Sequence, residues 1–209
     1  MRFQRRALTP LLLLALSVPP AAAQTVLVPA PPDSGPSIAA KGGVTLANIS
    51  FDQDQTFLAT TAKPSFVAGG LVGFPIAGRL SFQAEGLYAR RVTEFEGSVT
   101  DTLSYLEVPM LLRYAALRKT SWRVHVLGGV VYGRLLKAEE TFSGPPDDIK
   151  EIIEPNDFAV SIGGDFEARQ RWVFDFRYLY GLSEVYAEPG TLFSARQKVI
   201  QVTAAFRFW

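Results

Sequence analysis

The stretch RWVFDFRYLYGL, residues 171–182, places an aromatic side chain at every second position over most of its length. Successive side chains of a β-strand point to opposite faces, so this period gives one aromatic face and one mixed face. The mixed face carries Asp175 and Arg177. A fold built from such strands needs apolar surroundings on one side and a place for charges on the other. The aromatic face consists of Trp172, Phe174, Phe176, Tyr178 and Tyr180.

Similar alternation runs through most of the chain from Ser37 onward, whereas the spacing of an amphipathic helix is hard to find. The pattern therefore predicts an all-β fold. Each predicted strand has about the nine to eleven residues, or slightly more, that a tilted strand needs to cross the hydrocarbon of a membrane. The eight predicted strands cover 37–48, 64–74, 79–91, 102–114, 121–133, 157–168, 171–183 and 197–208.

The connections between these strands alternate strictly in length. The short ones are PIAG, AALRKT and RQ, and the longer ones lie at about 49–63, 92–101, 134–156 and 184–196. Outer-membrane barrels show this alternation. The sequence therefore predicts an eight-stranded antiparallel up-and-down transmembrane β-barrel with short periplasmic turns and long extracellular loops. A soluble eight-stranded barrel is the alternative.

The charged side chains of the strands collect on the parity opposite to the apolar one. If the apolar parity faced inward, Arg177 would lie in lipid, at a cost of roughly 2–4 kcal/mol near the midplane. We therefore expect the charges to face the lumen and to plug it as an ion-pair network, because side chains fill the interior of an eight-stranded barrel. A narrow gated pore whose ion pairs exchange partners is the alternative. The predicted network comprises Lys41, Glu85, Glu107, Arg113, Arg123, His125, Asp165, Glu167, Asp175, Arg177 and Arg207.

Aromatic residues of the outward parity gather near the two ends of the predicted strands, with smaller residues between them. Such girdles mark the two interfaces of a membrane. A soluble core has no reason to sort its aromatic residues in this way. The predicted girdles comprise Phe66, Phe74, Tyr88, Tyr114, Trp122, Tyr132, Phe158, Phe166, Trp172, Tyr180, Phe206 and Phe208.

The N-terminus has the features of a secretory signal peptide. Three arginines precede an apolar run over residues 7–18, and a triple alanine at 21–23 fits a cleavage site. We expect residues 1–23 to be removed, which leaves 18 of the 21 basic residues against 20 acidic ones. Residues 24–36 are expected to form a Pro-rich periplasmic leader and 37–209 the barrel, exported to a bacterial outer membrane. A retained N-terminal anchor is the alternative.

The composition argues against several classes of site. The chain has no cysteine and one histidine, so neither disulfides nor a structural zinc site are expected. A net charge of +1 offers no basic surface for nucleic acid. We expect no catalytic residue, cofactor or metal. The acidic loop 134–156 lacks the residue order of an EF-hand and is expected to be a solvated surface loop.

His125 bears on an enzymatic alternative, a barrel that modifies lipid A with a histidine, a serine and an acid near the membrane boundary. The alternation instead places His125 inward, near the middle of its strand, where a neutral or paired side chain is expected. No spacing singles out one of its nominal partners. These partners are Ser81, Ser104, Ser161 and Asp165.

The stretch TLSYLEVPMLLRY, residues 102–114, together with the final FRF at 206–208, resembles the PorT-like outer-membrane β-barrel domain family. The resemblance covers about 37–208 and implies an eight-stranded barrel in the outer membrane of a diderm bacterium. It implies no single activity, although some members are linked to protein secretion. Pro109 must give up a ladder bond in mid-strand, so we expect a bulge or a bend there. Trp209 falls out of phase with the outward Phe208.

Taken together, these patterns predict a non-enzymatic structural or surface-binding protein that acts through its long loops. A small-solute channel is the alternative. The implied partners are outer-membrane lipid and, during biogenesis, the barrel-assembly machinery. The sequence names neither a surface ligand nor a secretion partner.

Overall fold

The computed structural model describes residues 35–51, 60–95, 99–185 and 195–208. The predicted signal peptide, most of the predicted leader, and Trp209 lie outside these ranges. Within them, one 3₁₀ helix spans Lys150–Ile152, and no helix is long and apolar enough to span a membrane. The strands are β1 (Ser37–Phe51), β2 (Thr60–Ala77), β3 (Leu80–Phe95), β4 (Val99–Arg118), β5 (Trp122–Thr141), β6 (Asp147–Asp148), β7 (Asn156–Ala168), β8 (Trp172–Gly181) and β9 (Ala195–Arg207).

Eight of these strands form one closed antiparallel sheet. Neighbouring strands pair in chain order, β5 pairs with β7, and β1 pairs with β9 to close the cylinder. The two-residue β6 adds to the end of β5. The predicted eight-stranded antiparallel barrel is therefore confirmed. Its three short turns lie at one end, which we call the short-turn end, and its longer connections lie at the long-loop end.

Several strands continue past their predicted bounds at the long-loop end. β4 and β5 are 20 residues long each, and they remain paired as far as Thr100 and Thr141. The predicted loop over 134–156 therefore begins as strand. The reason is that an extension beyond the membrane needs no apolar outward face, so the alternation ends before the strand does.

Inward and outward faces alternate as the sequence predicts. In β8, Phe174 and Phe176 are 52% and 55% exposed, whereas Asp175 and Arg177 are 4% and 1% exposed. The outer wall thus presents apolar side chains to its surroundings, while charges lie inside, which is the arrangement of a membrane barrel. A soluble barrel would show the reverse, so that alternative is wrong.

Two inward-facing glycines allow neighbouring strands to approach closely. A Cβ atom at Gly69 would collide with the carbonyl oxygen of Gly86 on β3, and one at Gly129 with that of Met110 on β4. A glycine inside a strand marks such a close backbone approach. These glycines therefore serve the curvature of the barrel.

Of the bulge or bend that the sequence predicts at Pro109, the strand register shows no bulge. β3 and β4 keep the same register on both sides of it, although the ladder is interrupted at that point. On its other side, Pro109 pairs with Val131 of β5. The missing N–H of proline therefore removes pairing locally without adding a residue to the strand. The register shifts of β4 against β5 follow Ser104 and Ala115 instead.

Candidate functional site

The lumen contains three clusters of charged side chains alongside buried apolar residues, and the middle cluster is built around Arg177. Its Nη1 donates to Glu85 Oε2 on β3 and its Nε to Asp175 Oδ2, each at 2.9 Å. Lys41 Nζ lies 3.3 Å from Glu85 and 3.6 Å from Asp175, and Gln83 also donates to Glu85. These charged side chains are at most 4% exposed. Two positive and two negative charges therefore compensate each other away from water.

The short-turn cluster is centred on Arg113 of β4. Arg113 binds Asp165 of β7 through two parallel hydrogen bonds, with Nε and Nη2 at 2.6 and 2.7 Å from the carboxylate oxygens. Its Nη2 also donates to Glu167 at 3.1 Å, and His125 Nδ1 lies 2.8 Å from Asp165 Oδ1. Two further arginines approach Glu167, at 3.5 and 3.2 Å. The cluster comprises Arg113, Arg123, His125, Asp165, Glu167 and Arg207.

The loop-end cluster is centred on Arg91 of β3. Its Nη2 donates to Glu107 Oε1 at 2.6 Å and its Nη1 to Asp157 Oδ2 at 2.7 Å. The guanidinium also lies over the ring of Tyr105, 4.5 Å from its centroid, and Gln201 donates to Glu107 at 3.0 Å. Charge, cation–π and amide contacts therefore meet on one buried arginine. The cluster comprises Arg91, Tyr105, Glu107, Asp157, Gln197 and Gln201.

An apolar lid covers the loop-end cluster. Ile153 follows the 3₁₀ helix, Val185 follows β8, and both side chains are buried. Backbone hydrogen bonds hold this segment, from Glu154 N to Val185 O at 2.8 Å and from Leu135 N to Pro155 O at 2.9 Å. The expectation that 134–156 is a solvated loop is therefore only partly right, because Ile153 is buried in the lid and Ile149 packs against it, whereas Ile152 is 45% exposed. The lid comprises Ile49, Leu103, Tyr105, Leu135, Ala138, Ile153, Val185 and Ala195.

All eleven side chains predicted for the lumen lie inside the barrel; ten are buried and Arg207 is half-buried near the short-turn end. The sequence prediction omitted Arg91 and Asp157, which lie at the ends of predicted strands. Both lie on the same inward-facing parity as the predicted lumenal residues of their strands. Extending the alternation to the strand ends would therefore have predicted them. With these two, six basic side chains face six acidic ones. They are Lys41, Arg91, Arg113, Arg123, Arg177 and Arg207 against Glu85, Glu107, Asp157, Asp165, Glu167 and Asp175.

His125 belongs to the short-turn cluster, where its hydrogen-bond partner is Asp165. Its partner Asp165 is also held by Arg113. Activation of a nucleophile requires a serine within hydrogen-bond reach of the base. Among the described residues, no three or more His, Cys, Asp or Glu side chains are placed to hold a metal ion. In the same part of the chain, no hydrogen bond joins His125 to any of the candidate serines, which are Ser81, Ser104 and Ser161.

The aromatic residues predicted as girdles form ring pairs near both ends of the outer wall. At the long-loop end, Phe66 stacks on Tyr88 with centroids 5.7 Å apart, and Tyr132 lies 5.3 Å from Phe158. β8 differs from the expectation of small residues between the girdles, because two phenylalanines occupy that zone. At the short-turn end the pairs are Trp122–Phe166, Trp172–Phe206 and Phe206–Phe208. The other predicted members are Phe74, Tyr114 and Tyr180, of which the first two are exposed and the third half-buried.

Beyond the loop-end girdle, β4 and β5 project as a paired extension outside the membrane-spanning segments. Asp101 pairs there with Thr93 of β3 and Glu140 of β5. Its side chain is buried, and its Oδ1 has no hydrogen-bond partner within the described residues. Burial and, to a smaller extent, the charge of Glu140 raise the pKa of Asp101 to about 6.

We expect this extension to be more stable at pH 5 than at pH 8. The raised pKa means that Asp101 contributes stability that is full below the ordinary pKa of 3.8 and is lost as the pH rises through about 6. Asp101→Asn removes the ionisation and should stabilise the extension at pH 8 by about 1 kcal/mol, after allowance for screening by water. Hydrogen exchange of residues 99–103, corrected for intrinsic rates, measures this. The exposed Asp148→Asn is the control, and the same pH profile in both variants would contradict the expectation.

Comparisons with known proteins agree with this architecture. Residues 23–187 match the model of a family described as an outer membrane protein beta-barrel domain. No curated protein matches the chain. Neisserial surface protein A is 13% identical to it and aligns over 83% of this chain and 99% of that chain, with a TM-score of 0.52.

Two further solved structures are similar over comparable lengths. Ail, the attachment invasion locus protein of Yersinia pestis, is 16% identical and aligns over 83% of this chain and 99% of that chain, with a TM-score of 0.48. The outer membrane protein OprG from Pseudomonas aeruginosa is 13% identical, aligning over 83% and 96%, with a TM-score of 0.44. Sequence identities this low support only a similarity of fold. The family model, however, matches most of the chain, and the chain therefore belongs to the outer membrane protein beta-barrel domain family.

Proposed function

We propose that this chain is a non-enzymatic outer-membrane barrel whose lumen is closed and whose work is done at the surface by its long-loop end. The observation that carries the proposal is the stacking of three buried charge clusters and an apolar lid along the lumen. A continuous water path would have to pass all four. The lumenal side chains then form a structural plug, and the long loops are the surface available for binding.

The energetics of the clusters support a permanently closed lumen. The middle cluster joins three strands, since Lys41 lies on β1, Glu85 on β3, and Asp175 with Arg177 on β8. Removing one partner from a buried ion pair costs about 3–5 kcal/mol, because the remaining charge stays unpaired away from water. Opening a pore would impose such a cost in each cluster unless water entered at the same time.

The long-loop end provides the exposed surface that a binding role needs. The paired extension of β4 and β5 rises beyond the girdle and carries β6 at its edge. Phe142 at its tip is 63% exposed, and Asp147 and Asp148 are exposed beside it. An aromatic side chain flanked by acidic ones suits a partner with both apolar and cationic groups.

Planar-bilayer recording of the purified, refolded protein tests the closed lumen. We expect no steady conductance across the usual range of voltages. A second recording uses a variant in which residues 142–148 are replaced by a short Gly-Ser linker, which removes Phe142 and β6 but leaves Ile153 of the lid. This variant should remain silent because the charge clusters themselves close the lumen. Steady, large conductance of the wild-type protein would contradict the proposal.

A small-solute channel is the second candidate, and one observation favours it. A cavity of about 410 Å³ opens at the short-turn end. It reaches Gln83 of the middle cluster and Arg113 of the short-turn cluster. If exchange of partners by these side chains let water through, the cavity would be the entrance. The same recording decides between the two functions.

The motif in residues 102–114 supports a narrower placement of the chain among PorT-like barrels, which we include in the proposal. Glu107 and Arg113 of this motif belong to the loop-end and short-turn clusters, and Tyr105 joins the lid to the loop-end cluster. The motif thus supplies anchor residues of the plug. Involvement in secretion has no further support from the contacts of this chain.

A further inference from the structure

The three short turns, together with the last residue of β4, carry five basic residues and no acidic one. We call this set the basic rim. In the part of the chain that the structure describes, none of the five belongs to an ion pair. Charge is thus compensated inside the barrel but not at this edge of it. The basic rim comprises Arg79, Arg118, Lys119, Arg169 and Arg171.

Hydrogen bonds to backbone carbonyls anchor two of these guanidinium groups between the first two short turns. Arg118 Nη2 donates to the carbonyl oxygen of Gly78 at 2.9 Å, and Arg79 Nη1 donates to that of Ala116 at 3.5 Å. Each guanidinium therefore crosses to the neighbouring turn. Both guanidinium groups line the same cavity, and an anion bound beside two like charges offsets their mutual repulsion. The geometry therefore favours an anionic ligand at this edge.

The position of the basic rim indicates where that anion resides. Ile76 and Leu117, which lie within three residues of Arg79 and Arg118 along the chain, are 55% and 54% exposed on the apolar wall. The short-turn girdle, with Trp172 on its outer face, lies directly beside the rim. The charges therefore border the hydrocarbon at the depth of lipid headgroups.

A cavity of about 220 Å³ opens between the first two short turns and offers room for such a headgroup. Arg79 and Arg118 line it, together with Ser81, the turn at Gly78 and His125 of the short-turn cluster. Two guanidinium groups are donors that suit the oxygens of a phosphate diester. An apolar border and phosphate-binding donors are thus combined at one place.

We propose that the basic rim binds the phosphate groups of anionic phospholipids in the membrane leaflet at the short-turn end. The binding fixes the height of the barrel in the membrane and selects its neighbouring lipids. No rim residue belongs to a lumenal cluster, although His125 of the short-turn cluster also lines the cavity. Peptidoglycan is the other polyanion near this end, but it would leave the apolar border of the rim without a function.

Quenching of tryptophan fluorescence by brominated lipids tests the proposal, since Trp122 and Trp172 lie in the short-turn girdle. The protein is reconstituted into phosphatidylcholine vesicles that contain brominated phosphatidylglycerol or brominated phosphatidylcholine. We expect stronger quenching by the anionic lipid and a decrease of this preference in high salt. Replacing all five rim residues by Gln should reduce the relative affinity for phosphatidylglycerol by about tenfold.

Matched variants separate lipid binding from loss of folding. Within the described residues, the side chains of Lys119, Arg169 and Arg171 make no hydrogen bond or ion pair, so changing these three to Gln should preserve the barrel and still weaken the preference by about threefold. A control with the same number of exposed basic residues changed at the long-loop end should keep the full preference. The control replaces Lys63, Arg90, Arg134, Lys137 and Lys150 by Gln.

Three results would overturn the proposal. The first is equal quenching of the wild-type protein by the two brominated lipids. The second is an unchanged preference in the variant that lacks all five rim charges, verified as folded by the different gel mobility of boiled and unboiled samples. The third is a pair of observations: the wild-type protein is retained on peptidoglycan sacculi and this variant is not, while the variant keeps its lipid preference. That result would assign the rim to the cell wall.

Discussion

Replacing Arg177 by Met is expected to destabilise the barrel by about 3–5 kcal/mol. Arg177 is 1% exposed and compensates both Glu85 and Asp175. Without it, two buried carboxylates face the single ammonium group of Lys41. Methionine fills much of the volume, so the loss comes mainly from the uncompensated charge rather than from a cavity.

Urea unfolding of the protein in lipid vesicles, followed by tryptophan fluorescence, measures this loss. Arg134→Met is the matched control, because Arg134 is exposed and hydrogen-bonds only to Asn156 in the described residues; its cost should stay below about 1 kcal/mol. The double variant Glu85→Gln with Arg177→Met restores the charge balance and should recover part of the stability. Equal costs for Arg177→Met and Arg134→Met would show that the middle cluster contributes nothing to folding.

The architecture is accessible from sequence because a membrane strand obeys two constraints at once. Every second residue must suit lipid, and charges must go to the other side, so the period is visible even over ten residues. The inward positions of Asp175 and Arg177 follow from this rule alone. Their partners follow less directly, because pairing depends on how strands separated by many residues are placed around the cylinder. Arg177 meets Glu85 across 92 positions of sequence.

The long-loop end is where the sequence prediction loses accuracy, and the reason is physical. Outside the membrane, a strand is held by its ladder and needs no alternation, so β5 continues to Thr141 beyond the last apolar signal. The lid depends on Ile153 and Val185, which come from different connections and meet only in the folded barrel. Neither residue lies in a periodic segment. Their burial therefore has no signature in the sequence of either loop.

Replacing Phe176 by Arg is expected to destabilise the barrel by about 2–4 kcal/mol, because the charge would lie near the middle of the hydrocarbon. Phe176 is 55% exposed on the outer wall, midway along β8 between Trp172 and Tyr180. The phenyl ring therefore contacts acyl chains rather than protein on its outer side. The neighbouring Arg177, one position away, lies in the lumen, so the same side chain is stabilising at one position and costly at the next.

Phe158→Arg is the matched control, since Phe158 is equally outward but belongs to the loop-end girdle beside Tyr132. An arginine there reaches the headgroups, so its cost from the charge should be about 0–1 kcal/mol, in addition to the loss of the ring contact. The same unfolding titration compares the two variants. Spin labels at positions 175 and 176 give an independent measure, with the label at 176 accessible to oxygen dissolved in lipid. If Phe158→Arg cost as much as Phe176→Arg, or if the label at 176 were the one better exposed to water, the assignment of the aromatic wall to lipid would fail.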